Sequence, residues 1–169
     1  MKLKNMLPYL FLLVPAIALA QWTTKAEEDI FTGGKKAMMS ATIGDGDYET
    51  TNSIIFDCTK NELSLAYIER LTGTVKRSDI PVNMLVKIDA GEIMKTDAVA
   101  NQRNDKYVQV ISYDRDIIIK ILKEASKAKS KMIVGLSNDT IGKQSVTAPM
   151  GGASKAVNQF ASACEIDIK

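Results

Sequence analysis

The side chains that could do chemistry in this sequence of 169 residues are carboxylates, lysines, hydroxyls and two cysteines, because it contains no histidine. That absence removes Ser-His-Asp and Cys-His catalysis, histidine-ligated zinc and haem, and any imidazole pH switch. Ser126-Lys127-Ala128-Lys129 has the S-x-x-K spacing of serine acyl-enzymes, in which a lysine one helical turn away deprotonates the serine. An activating lysine must be desolvated to lower its pKa, however, and Lys129 stands among other lysines with no S-D-N or K-T-G element in support. Gly142-Lys143 is similar to the end of a P-loop, but the first glycine is misplaced and Gln144 follows the lysine. Asp45, Asp47 and Glu49 alternate like the first ligands of an EF-hand loop. Thr50 then stands where the sharp turn requires glycine, and Phe56 where a bidentate glutamate is needed, so an ordinary acidic turn is expected. The 20 acids could supply the facing carboxylates of a glycosidase, but sequence spacing does not fix their separation. No catalytic residue, metal ligand or cofactor is assigned.

The first twenty residues point to export. Lys2 and Lys4 precede an apolar run from Leu7 to Leu19 that is interrupted by Pro8 and Pro15, and Ala18-Leu19-Ala20 is an A-x-A cleavage site. The run is too short and too broken for an anchor, which needs about twenty apolar residues, and no cysteine follows the site to carry lipid. Removing Lys2 and Lys4 takes Lys and Arg from 22 to 20, equal to the 20 Asp and Glu, so no global field draws the mature chain toward nucleic acid. Cys58 and Cys164 both remain after cleavage, and an even count in an exported chain predicts a disulfide, here with a unique pairing. Neither belongs to a C-x-x-C redox motif, and no local cluster supplies the further ligands of a metal site.

The elements that must carry these residues follow from hydrophobic periodicity. Gln21 to Gly34 is polar and acidic in the middle, which predicts an N-terminal arm at 21–34 ahead of a single domain at 35–169. Lys36 to Ile43 is a first strand. Ile54, Phe56 and Cys58 alternate with Ile55 and Asp57, and Leu63, Leu65 and Tyr67 alternate again after a turn at Lys60-Asn61, which makes Ser53 to Arg70 a β-hairpin with Cys58 facing inward. Pro81 interrupts the next stretch. Met84 to Ile88 and Glu92 to Thr96 form a second hairpin, and a polar loop at 101–105 leads to a strand from Lys106 to Ile111. Ile117, Ile118, Ile121, Leu122, Ala125 and Ala128 share a helical face, with Asp114 and Asp116 complementing the dipole at its start. A last hairpin (Met132 to Leu136, Gln144 to Ala148) precedes a helix whose face is Ala153, Ala156, Val157, Phe160, Ala161 and Cys164. The fold class is therefore α+β: antiparallel hairpins in one sheet or sandwich, two late amphipathic helices and one disulfide.

The order of these features resembles the small periplasmic proteins associated with type VI secretion, and more loosely the invasion-associated locus B family. Trp22 near the mature start, Ile54-Ile55-Phe56-Asp57-Cys58 with Leu63-Ser64-Leu65-Ala66-Tyr67-Ile68, the strand Leu85-Val86-Lys87-Ile88-Asp89, the helix leading into Met132-Ile133-Val134, and a terminal Ala163-Cys164 carry the resemblance. Ala148-Pro149-Met150-Gly151-Gly152 departs from the approach to the last helix that such proteins commonly show. The resemblance implies an exported, non-enzymatic envelope accessory with one disulfide.

Five lysines between Lys120 and Lys131 face one acid, Glu124, and make the most biased surface in the sequence. Lys120, Lys123 and Lys127 lie opposite the apolar helix face, where clustered charge can steer an acidic partner. Trp22, the only tryptophan, is either a plug over one end of the core or a second anchor for that partner. The expected function is a periplasmic, non-catalytic protein-binding accessory, whether inhibitor, immunity-type or secretion-associated, without membrane insertion. The alternative is a carboxylate-dependent hydrolase of envelope polymers. Mass spectrometry of the exported protein is expected to find Gln21 as its first residue, and a species retaining residues 1–20 would contradict the cleavage reading.

Overall fold

Strand alternation governs most of the chain, and the elements it produces are seen in a computed structural model that describes residues 22–31, 33–43, 52–71, 79–139 and 142–168. The leader and the acidic turn with Asp45, Asp47 and Glu49 lie outside the described residues. Nine strands are present among those residues: β1 (Thr23–Asp29), β2 (Gly34–Ile43), β3 (Asn52–Cys58), β4 (Leu63–Arg70), β5 (Ile80–Ile88), β6 (Ile93–Asn104), β7 (Tyr107–Ser112), β8 (Lys131–Asn138) and β9 (Gly142–Pro149). Two helices, α1 (Arg115–Lys127) and α2 (Ala153–Ala163), follow β7 and β9. The strands form one antiparallel sheet in the order β1-β2-β3-β4-β7-β6-β5-β8-β9, curled into a half-barrel. The architecture is α+β, a single sheet and not a sandwich.

The concave face of the half-barrel is filled by the two helices. Met39, Ile54, Phe56, Leu65, Met84, Val86, Met132 and Val134 point inward from five strands, and Ile118, Ile121, Leu122, Val157 and Phe160 meet them from α1 and α2. Phe56 is the centre of an aromatic run, 6.1 Å from Trp22 and 6.3 Å from Phe160 between ring centroids. Asp114 caps α1 by accepting the Ile117 N–H at 3.2 Å. α2 ends with Glu165 at φ 54°, followed by Ile166, whose N–H donates to the Ala161 carbonyl and whose side chain is buried. That closure satisfies a late carbonyl and anchors the turn by an apolar contact. It leaves Cys164, the C-cap, beside the end of β3, where it is bonded to Cys58 with Cα atoms 6.1 Å apart.

The convex face is polar except along its middle. Ile55, Ala66, Ile111 and Val99 are register neighbours across β3, β4, β7 and β6. The Arg103 guanidinium donates to Gln109 on β7 at 3.0 Å and to Asp57 on β3 at 3.3 Å, with β4 lying between those two strands in the sheet. The arginine head thus ties β6, β7 and β3 together across the convex face.

Several expectations require correction. The segment 21–34 is not an arm: Thr23–Asp29 pairs residue for residue with β2, so the domain begins before residue 35. Its charged side chains suit a strand at the edge of a sheet, where one side faces water. Pro81 does not interrupt a strand but is the second residue of β5, where a missing N–H is tolerated. The polar stretch at 101–105 is strand as far as Asn104, its polarity reflecting a hairpin end that projects beyond the core.

The bond between Cys58 and Cys164 spans 106 residues, and a loop of that length gives a chain-entropy stabilisation of at most about 4–5 kcal/mol. Replacing both cysteines by serine is expected to lower the melting temperature strongly, and thiol labelling of the unfolded, unreduced parent to find no free thiol. An unchanged melting temperature would show the cross-link to be idle.

Candidate functional site

The β1–β2 connection is a tight turn between Asp29 and Gly34, the last paired residues. Asp29 is almost wholly buried, its Oδ1 accepting the Phe31 N–H at 3.0 Å while its carbonyl accepts the Gly33 N–H at 2.9 Å. Gly33 has φ +66°, a conformation that a side chain would strain. The turn is therefore pinned from within, and it displays Ile30 and Phe31, which are 83 % and 92 % exposed. A single exposed apolar side chain needs no explanation, but two large neighbours at the end of a hairpin form a small exposed apolar patch. Sequence reasoning missed this pair because it read residues 21–34 as polar throughout. The signal was an apolar dipeptide held between an aspartate and a glycine pair, which is a turn that shows its side chains to solvent.

Beside this tip, β1 is an edge strand with Lys25, Ala26, Glu27 and Glu28 all exposed. An open groove of about 550 Å³ runs between it and the polar face of α2, lined by Glu27, Glu28, Asn158, Gln159 and Ser162 among others. Glu27 and Glu28 are consecutive on a strand and point to opposite faces, so the groove does not set two carboxylates against each other. Glu27 is instead paired with Lys36 at 3.0 Å. Asp57 holds Arg103, and Asp114 caps α1.

The lysines expected to meet a partner lie elsewhere. Lys120 and Lys127 are exposed on the solvent face of α1, Lys123 is half-buried on the same side, and Lys129 and Lys131 continue the basic ridge past the helix end. The ridge is held in place by Asp89. This residue sits in the left-handed region at φ 48°, and its carboxylate accepts the backbone N–H groups of Lys129 (2.8 Å), Ser130 (3.0 Å) and Lys131 (2.8 Å). The bonds from Lys129 and Lys131 hold the Asp89 carboxyl below its ordinary value, with the Ser130 bond and the Lys129 charge acting the same way. Ser126 donates to the Lys123 carbonyl at 2.7 Å, and Lys129 lies beyond the end of the helix, so the S-x-x-K spacing does not place the two on one helical turn. Gly142-Lys143 opens a strand, where a P-loop would open a helix.

Trp22 is not a surface anchor. It is 3 % exposed, its indole N–H donates to the Pro149 carbonyl at 2.9 Å and its backbone N–H to the Gly151 carbonyl at 3.1 Å. It plugs the end of the half-barrel where the start of β1 meets the end of β9, and the structure does not bring it together with the lysines of α1.

Neither protein-family models, nor curated protein sequences, nor solved structures yield a match to this chain. The likeness to type VI secretion-associated periplasmic proteins rests on the layout of the sequence. Among the described residues no helix is long and apolar enough to cross a membrane. The disulfide is consistent with an oxidising, extracytoplasmic compartment.

Asp89→Ala is expected to loosen the α1–β8 junction, because three N–H groups lose their acceptor and alanine disfavours the left-handed conformation. Since folding depresses the Asp89 pKa, its contribution is complete above the unfolded value of about 3.8 and fades as pH falls through the lower folded value. Melting curves across that acidic range should show a shallower pH dependence for Asp89→Asn than for the parent. Parallel curves would remove Asp89 from this role.

Proposed function

We propose that this chain is a periplasmic, non-catalytic accessory of the cell envelope that binds another protein, acting as an inhibitor, an immunity-type protein or a secretion-associated factor. The observation that carries this reading is the Ile30–Phe31 tip, where two large apolar side chains stand almost fully in water on a turn whose backbone donates to the Asp29 carboxylate and carbonyl. Docking such a tip buries apolar surface at little cost in conformational order, which is how a small contact can dominate binding. The basic ridge of α1 supports the same reading. Its lysines can be reached by an acidic partner without disturbing Ile118, Ile121 and Leu122 beneath them, and charge there would raise the association rate.

The test places a photo-crosslinking amino acid at Phe31 in living cells, with Tyr107 as the exposed control position. A discrete protein adduct at position 31 alone is expected. Ile30→Asp and Phe31→Asp should leave stability within about 0.5 kcal/mol of the parent, since both sites are exposed, while abolishing co-purification of the crosslinked protein. Lys120→Glu with Lys127→Glu should slow association and reduce its salt dependence. Absence of an adduct at position 31, or full co-purification with Phe31→Asp, would overturn the proposal.

A further inference from the structure

We infer that the chain self-associates through β1, two copies pairing their edge strands antiparallel about a two-fold axis at Ala26. Among the described residues, β1 past Trp22 has a strand neighbour on one side only, and its exposed residues run Lys25-Ala26-Glu27-Glu28. The Thr24 hydroxyl donates to the Ala156 carbonyl of α2 at 2.7 Å, so Thr24, Ala26 and Glu28 face the helix side and Lys25 and Glu27 face the convex side. A two-fold axis perpendicular to the sheet keeps like faces together, so only residues on the same face can stand opposite each other.

Charge then selects the register. With Ala26 opposite Ala26 of the second copy, Lys25 meets Glu27 of the second copy, and Glu27 meets its Lys25. Sliding by one step in either direction sets Lys25 against Lys25 or Glu27 against Glu27, which is unfavourable for directly opposed residues. Glu27 already pairs with Lys36 on β2, its register neighbour. The dimer would place that carboxylate between two lysines, Lys36 of its own copy and Lys25 of the second, in an alternating row across three strands. The opposite edge, β9, carries Lys143 but no acid and ends on Pro149, so it offers no comparable self-complementary pattern. Strand addition at an exposed edge gains main-chain hydrogen bonds, with side chains setting specificity. A consequence is that the two Ile30–Phe31 tips would lie at opposite ends of the shared strand pair, giving one particle with two anchors.

The test is sedimentation equilibrium of the exported protein over its soluble concentration range, alongside Lys25→Glu and Glu27→Lys. The parent is expected to dimerise, and each variant to dissociate at least about tenfold more readily, because each turns two opposed unlike pairs into like pairs. An equimolar mixture of the two variants should recover dimer, since Lys25→Glu in one chain faces Glu27→Lys in the other. Melting curves matching the parent establish that each variant is folded, and both substitutions lie at exposed positions. A parent that stays monomeric throughout, a dimer indifferent to both changes, or a mixture that associates no better than its components would each overturn the inference. None of these readouts involves Phe31, so failure here leaves the binding role of the tip standing.

Discussion

A curled sheet with one apolar face must have that face covered, and among the described residues α1 and α2 supply most of the covering, with Trp22, Met150 and Ile166 completing it. Strand pairing satisfies the backbone but leaves Met39, Phe56, Leu65, Met84 and Val134 in need of burial. Ile118, Ile121 and Leu122 from one helix, with Val157 and Phe160 from the other, supply most of it. The stack of Trp22, Phe56 and Phe160 joins the first residues of the described chain, the central hairpin and the last helix in one contact. The disulfide repeats that connection covalently. Because Cys58 ends β3 and Cys164 caps α2, the bond fastens the filling to the wall at the point where the helix terminates.

The same constraint determines what is left on the outside. The helices fill the half-barrel without closing it, so β1 and β9 remain edges that meet only near the Trp22 corner. Natural edges are commonly guarded by charge, and β1 is rich in it. On the convex side Ala66 and Ile111 are buried, which leaves the Ile30–Phe31 tip as the most exposed large apolar pair among the described residues. The basic ridge of α1 is likewise a by-product of coverage. Once Ile118, Ile121 and Leu122 turn inward, helical geometry turns Lys120 and Lys127 outward.

Local periodicity was sufficient for much of this. Alternation in Ile54-Phe56-Cys58 and Leu63-Leu65-Tyr67 defined a hairpin, the spacing of Ile117 to Ala128 defined a helix, and an even cysteine count in a chain expected to be exported pointed to the disulfide. These signals are strong because each lies within one element, where side-chain direction follows directly from backbone repeat. They also fixed the α+β class and the outward direction of Lys120 and Lys127.

Tertiary structure decided what depends on pairing between distant segments. Residues 23–29 carry no apolar alternation, and they are a strand because β2 offers them a ladder and α2 accepts a hydrogen bond from Thr24. Trp22 sits in a polar stretch of sequence yet is buried, because Pro149 and Gly151, more than a hundred residues away, provide its hydrogen-bond acceptors. The turn that displays Ile30 and Phe31 exists only once β1 is paired. Sequence by itself determined which faces are apolar, which acids complement the start of the first helix and which cysteines must join. The order of strands, the open edge and the exposed tip came from long-range backbone pairing, whose partners no local pattern names.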